Sequence, residues 1–313
     1  MIARSYLAHR IGFALLVVVG VTLTTFLLMH AVPGDPARAV LGEHATPAAV
    51  AALREQWGLN QPLPQQFGRF VADLVTLRLG DSYFYKTAVT TLIGSRIGLT
   101  AALVVMATVF AVLITVPLAT VAAARRERTA DHVVRATTVA GLGMPSFWFG
   151  IVLIEIFALR LHLVPVGGAG ATLAGHLRSL LLPSLTAALA IVPLLVRSLR
   201  VGMIEVLSSD YVATARAKGL REPRVLVRHV ARNAVIPTVT LLGLNIAFLV
   251  GSTVVVEQVF ALNGLGSLLL DAIVNRDFPV VQAVTLVLAT SVVIINLLTD
   301  LLSARLDPRI RLQ

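Results

Sequence analysis

"GLTAALVVMATVFAVLITVPLATVAA", residues 98–123, runs 26 residues without one charged side chain. As an α-helix rising 1.5 Å per residue it reaches about 39 Å, more than the roughly 30 Å of a bilayer's hydrocarbon core. A helix that is apolar on every side has no face to offer water, so this segment reads as a membrane span. Five further segments read the same way, at 9–31, 133–159, 179–199, 235–256 and 279–303. Composition agrees: 57% of the 313 residues are hydrophobic and 13% charged, against about 25% charged in a soluble domain. Mean hydropathy is +0.87. The expected fold is an all-α polytopic membrane protein with six transmembrane helices in a single transmembrane domain over 1–313. No Pro-, Ser- or charge-rich linker divides it.

Net charge is +10. In a soluble protein this would suggest nucleic acid; in a membrane protein the excess sits in cytoplasmic loops and sets orientation. If the N-terminus is cytoplasmic, that side carries 17 of the 26 Lys and Arg residues, with 8 of them between 197 and 233. The opposite side carries 9, of which 6 fall in the long loop 32–97, beyond the length over which the rule applies. The reading is N-in and C-in, with an outer loop at 32–97 and a cytoplasmic loop at about 200–234. The absence of cysteine excludes disulfides, Cys-ligated zinc and thiol catalysis. The apolar run after "MIARSYLAHR" is too long for a signal peptide and lacks a small-x-small site, so an uncleaved first span is expected.

Local signals divide the loops. Thr46-Pro47 reads as an N-cap with Pro at N1, and Gly58 as a C-terminal stop, giving a helix near 47–57. A second helix is expected from Pro64 to about Leu79, stopped by Gly80. Pro145, within "GLGMPSFWFG" at 141–150, removes a backbone donor, so a kink or unwinding is expected in the third span. Pro193 and Pro237 offer the same in the fourth and fifth.

The longest charged stretch is "SSDYVATARAKGLREPRVLVRHVARNAVIP", 208–237. Ser209 or Asp210 can cap a helix of about nine residues, with Lys218 in its last turn and Gly219 ending it; acid first and base last both suit the helix dipole. A helix this short is marginal alone and needs a packing surface. Ala213, Ala215 and Ala217 would permit close approach by another surface. Glu222-Pro223 then starts a second, basic helix lying along the membrane. Its Arg224, Arg228 and Arg232 share one face, suited to anionic headgroups or to a partner.

Other candidates are sparser. Glu155 is the one acid well inside a predicted span: a proton carrier or substrate contact, or a side chain reaching interfacial water. Asp300, close to Arg305, reads as a cytoplasmic-edge residue. The seven histidines are scattered and form no HExxH or other metal spacing. Serines beside glycines have no His or Lys base in the same motif, which leaves an intramembrane protease unsupported. No G-x-x-x-x-G-K-[ST] occurs, so the chain lacks that phosphate cradle.

"DYVATARAKGL" followed by "RHVARNAVIP" resembles the EAA motif of bacterial ABC importer permeases in its peptide-transporter form. The resemblance extends through "PGDP" (33–36), "GLNQPL" (58–63), "VPVGG" (164–168), "LLPSL" (181–185), "EQVFALNGLG" (257–266), "RDFP" (276–279) and "LDPR" (306–309). In order and spacing these are similar to the inner-membrane permease subunit of the dipeptide/oligopeptide/nickel importer family. The chain departs from the general pattern in having Ala213-Thr214-Ala215 for Glu-Ala-Ala and Ile236-Pro237 for Leu-Pro. It also has Ile97-Gly98-Leu99-Thr100 where the family commonly has LPxT.

The resemblance implies a transport subunit, not an enzyme, that moves peptides across the bacterial cytoplasmic membrane by alternating access. It implies a second related permease, two ABC ATPase subunits holding ATP and Mg, and an extracytoplasmic substrate-binding protein. This chain itself would hold no cofactor or metal, and nucleic acid has no part. Carried over to this sequence, the ATPase contact is a coupling helix with Asp210, Tyr211, Ala213, Ala215, Lys218 and Gly219. Glu257, Phe260, Gly264, Gly266 and Asp277 are candidates for an outer gate or binding-protein contact, or for a structural re-entrant loop. The alternatives are a proton-coupled secondary transporter using Glu155, or a permease of the same family for nickel or glutathione.

Overall fold

A computed structural model describes residues 4–31, 35–42, 45–76, 78–168 and 172–306. Pro33 and Gly34 of the first family motif and 307–309 of the last lie outside the described residues. Among the described residues the chain is helical, with one isolated bridge between Asp81 and Ala88. Five helices are long and apolar enough to cross a membrane, and one bent pair makes a sixth span if it crosses as a unit. The chain divides into two compact units, one built mainly from Thr100–Leu262 and the other from Ala8–Leu99 with Asn263–Ser291.

The second of these begins with α1 (Arg4–Ala31), α2 (Pro36–Leu41), α3 (Pro47–Gln56) and α4 (Leu63–Val75). The α3 start is as expected: Thr46 Oγ1 accepts from the Ala49 N–H at 3.3 Å, and Pro47 stands at N1, where no donor is needed. The α4 helix stops at Val75, short of the expected Leu79. Thr76 Oγ1 donates to the Ala72 carbonyl at 2.9 Å, and the Arg78 N–H turns back onto the Asp73 carbonyl at 2.8 Å. Those bonds satisfy the last carbonyls that further helix would have used. Gly80, with φ +72°, belongs to the turn that follows.

The next helix, α5 (Val89–Ala124), extends the quoted span by nine residues at its start. Its first turns, with α12 (Leu265–Val274) and the start of α13 (Phe278–Leu306), enclose a core of Val89, Ile93, Leu265, Leu268, Val280 and Val284.

In the other unit the third span is broken into α6 (Thr129–Leu142) and α7 (Ser146–Leu153), the latter continuing as a π-helical turn, Ile154–Arg160. Across Gly143, Met144 and Pro145 the pair bends by 108°, far beyond a kink. Pro145 cannot donate, and the Gly143 and Met144 N–H groups close a tight turn on Ala140 and Gly141 instead. By contrast α8 (Leu173–Leu207) runs through Pro183 and Pro193 without a break, so Pro193 does not end it.

Helix α8 is the hub: 72% of its most apolar stretch is buried, against 11% for α1. Close packing around it relies on small residues, as expected where helices meet in lipid. A Cβ on Gly202 would stand 3.0 Å from the Ala234 carbonyl oxygen, so no larger residue fits that crossing without movement.

After α8 come α9 (Asp210–Ala217), the single turn α10 (Glu222–Arg224), a π-helical segment Val225–Ala231 and α11 (Arg232–Val259). The expected separate basic helix is therefore the first part of the fifth span: 222–259 is one continuous helical element that passes through Pro237. The π spacing explains the join. Residues five apart align, which places Val225 and Val230 together on the buried side. Arg224, Arg228 and Arg232 remain exposed.

Candidate functional site

The segment 208–224 forms an exposed element on a buried frame. In α9, Val212 and Ala215 face inward, while Asp210, Tyr211, Ala213, Thr214, Ala217 and Lys218 are exposed. Ala215 is thus a packing residue and is not available to a partner, which corrects its expected role; Ala213 keeps the outward position. Neither Ser209 nor Asp210 caps the helix with its side chain. Ser209 Oγ donates back to the Val206 carbonyl at 2.6 Å, and Asp210 lies within the first turn, where its charge suits the helix dipole.

The helix ends as expected. The Gly219 N–H bonds the Arg216 carbonyl at 2.9 Å and the Leu220 N–H bonds the Ala215 carbonyl at 3.3 Å, with Gly219 at φ +77°. This is the Schellman arrangement, and its left-handed residue favours glycine. Two further contacts fix the turn. Arg216 forks onto Glu222, with Nη2 to Oε1 at 2.6 Å and Nε to Oε2 at 3.2 Å. Asn233 Nδ2 donates to the Tyr211 hydroxyl at 2.9 Å, tying α9 to the foot of α11.

The sequence reading missed a buried ion pair in the same unit. Asp131, with no exposed side-chain surface, accepts from Arg200 Nε at 2.6 Å and Nη2 at 2.5 Å, and from the Glu127 N–H at 3.0 Å. The bidentate fork joins the first turn of α6 to α8 seven residues before α8 ends. It braces the helix that leads directly into α9. Its only trace in the sequence is an acid within the basic run "RRERTAD", whose partner lies 69 residues away.

The five candidates for the outer gate or binding-protein contact are all buried: Glu257, Phe260, Gly264, Gly266 and Asp277. Their burial within this chain fits internal supports better than a docking surface. Glu257 lies in the last turn of α11, inside the helix and not beyond it, and accepts from Thr100 Oγ1 at 2.7 Å. Phe260 packs in the same unit, and its carbonyl crowds Gly167 so closely that a Cβ there would stand 2.0 Å away.

Asp277 accepts from Ser82 Oγ and from the Tyr83 and Phe84 N–H groups at 3.1 and 3.2 Å, fastening the 80–88 loop to the start of α13. Burial, followed by the nearby Asp277 carboxylate, pushes the Tyr83 phenol well above its ordinary range.

Glu155 is not isolated. Its Oε1 accepts from Arg160 Nε at 2.9 Å, a pair five residues apart that the π-helical turn brings onto one face. Both side chains are about half exposed or more, so the acid is an ion-paired rim residue.

Known proteins place this arrangement. A family described as "Binding-protein-dependent transport system inner membrane component" matches residues 115–312, and its N-terminal companion matches 3–107. The glutathione transport system permease protein GsiC of Pectobacterium atrosepticum is 40% identical over 291 residues, covering 93% of this chain and 94% of that one. The oligopeptide transport system permease protein AppB of Bacillus subtilis is 36% identical over 312 residues, covering 98% and 99%. The Escherichia coli K12 GsiC is 38% identical over 291 residues, covering 93% and 94%. With both halves matched and these relatives aligned nearly end to end, the chain belongs to the inner-membrane permease components of binding-protein-dependent ABC transport systems, as a multi-pass inner-membrane protein.

Proposed function

We propose that this chain is the permease subunit of an ATP-driven importer of short peptides, working beside a second related permease. Two ABC ATPase subunits would hold ATP and Mg, and an extracytoplasmic binding protein would deliver substrate. The chain's own part is mechanical. Nucleotide-driven movement of the ATPase is received by the exposed face of α9 and passed to α8 and α11.

The observation that carries this reading is the construction of 208–224. An eight-residue helix, too short to be stable alone, is held by buried Val212 and Ala215, a locked glycine turn and the Arg216–Glu222 fork, with one face left outward. An element so fixed transmits displacement to its neighbours instead of absorbing it. The N-in orientation expected from the charge distribution would put it on the cytoplasmic side. Substrate class follows from relatives whose names specify glutathione and oligopeptides. The pairing of Glu155 with Arg160 gives proton coupling no support.

The absence of cysteine makes the test clean. Single cysteines are placed at Ala213, Ala217 and Ala215, and the assembled transporter is treated with a short thiol–amine cross-linker. Products joining the ATPase from 213 and 217, but not from 215, support the assignment. Equal labelling at all three, or none with an intact assembly, removes α9 as the contact.

A further inference from the structure

A cavity of about 440 Å³ opens within the second unit, among α1, α3, α4, the 80–83 turn and the start of α13. One wall is aromatic: Trp57 and Tyr83 stack with ring centroids 3.9 Å apart and planes 8° from parallel. Tyr83 is held there through its N–H bond to Asp277. Phe26 and Phe70, 6.0 Å apart and stacked, supply further apolar surface.

Charges around the cavity do not balance. Asp35 is matched to Arg54 at 3.1 Å. The remaining charged lining residues are Arg69, Arg78 and Asp73, and among the described residues neither arginine makes an ion pair. Two cations thus share the cavity with one carboxylate. Arg69 also has a structural task, since its guanidinium lies beneath Gly58, 2.5 Å from where a Cβ would stand. Arg78 has no such duty.

We infer that this cavity is a binding site for a short peptide with one more carboxylate than amine, its apolar side chain on the Trp57–Tyr83 wall and a carboxylate at Arg78. Size fits, since ligand cavities span about 300–1,000 Å³ and combine apolar walls with a few converging polar groups. A guanidinium pairs with a carboxylate bidentately. The presence of Asp73 favours a ligand that also carries an amine over an anionic lipid such as phosphatidylglycerol, whose headgroup has no cation to pair with it. The choice of ligand rests on the peptide reading above, and an N-in orientation would put the cavity at the outer side of the membrane. The site lies in the permease itself, apart from the selection made by a binding protein.

The test uses the assembled transporter in nanodiscs without ATP or binding protein, and reads the tryptophan quenching that disappears in Trp57→Phe. Three dipeptides, Phe-Glu, Phe-Ala and Phe-Lys, share their first residue and step through net charges of −1, 0 and +1. The expected order of affinity is Phe-Glu, then Phe-Ala, then Phe-Lys. Arg78→Gln should weaken Phe-Glu roughly ten-fold, the loss of one charge-assisted hydrogen-bonded contact, and Arg78→Lys should restore part of it. If Arg78→Gln does not assemble, the order of affinity of the three dipeptides on the wild-type transporter carries the comparison.

No Trp57-dependent quenching, or equal quenching by all three peptides, overturns the site. Quenching that depends on phosphatidylglycerol in the nanodisc and ignores peptide assigns the cavity to lipid and also overturns it. Uptake of peptide is measured separately. Transport without Trp57 quenching sinks this site alone, whereas loss of ATP-driven peptide transport in the wild type sinks the functional reading.

Discussion

Substituting Gly219 separates two reasons for a glycine at the end of α9. Its φ of +77° lies in the left-handed region, and nothing stands within 4 Å of a Cβ built there. Within this chain the only penalty of a side chain is therefore conformational. An L-residue there costs about 1–2 kcal/mol, which is roughly a 5–30-fold shift between the closed turn and frayed alternatives. Asn tolerates this region better than Ala, and a β-branched residue tolerates it least.

If the turn's geometry is what transmits movement, peptide transported per ATP hydrolysed should fall in the order Gly, Asn, Ala, Val. The assay is uptake with parallel phosphate release in proteoliposomes containing the complete transporter. Asn is larger than Ala, so a purely steric requirement of a partner's groove reverses the middle pair. An Ala variant that couples like wild type, with Asn worse, would refute the backbone argument and leave partner contact as the reason for glycine.

Other expectations follow from the same geometry. Asp131→Ala or Arg200→Met alone should destabilise the protein by about 3–5 kcal/mol, because each leaves an uncompensated charge in a buried setting. The Asp131→Leu/Arg200→Met pair should recover much of that loss in thermal unfolding of the detergent-solubilised chain. Tyr83, with its ionisation held above the usual range of about 10, stays protonated when the unfolded chain's tyrosine would ionise. Stability is therefore unaffected below about pH 10 and falls as pH rises past it, and a phenolate absorbance titration against Tyr83→Phe reads the shift. Glu155→Gln should change stability by well under 1 kcal/mol, since the exposed pair is weak, and should leave the pH profile of uptake unmoved. A shifted profile would revive a proton role.

What the sequence made legible was local. Thr46-Pro47 and Gly219 act within a few residues through a cap or a required φ, and both features stand where those residues place them. The spans were equally plain, because lipid demands a long apolar run. The misses share a physical cause. Asp277 finds Ser82 across 195 positions and Asp131 finds Arg200 across 69, and no local propensity encodes either partner.

Pro145 signalled a break, but the 108° bend depends on which neighbours α6 and α7 pack against. The two π-helical turns were hidden because they change the spacing on which face assignments rest. Small size and the family resemblance point to Ala215 as a partner contact, although its spacing of three from Val212 places both on the face that packs.

The most direct test of the central claim is peptide uptake into proteoliposomes containing this chain, its partner permease and both ATPase subunits, with binding protein outside. Four conditions suffice: ATP inside or absent, each with or without an imposed inward proton gradient. Uptake that requires internal ATP and binding protein, and ignores the gradient, is the result predicted here. Uptake that follows the gradient without ATP would contradict the account.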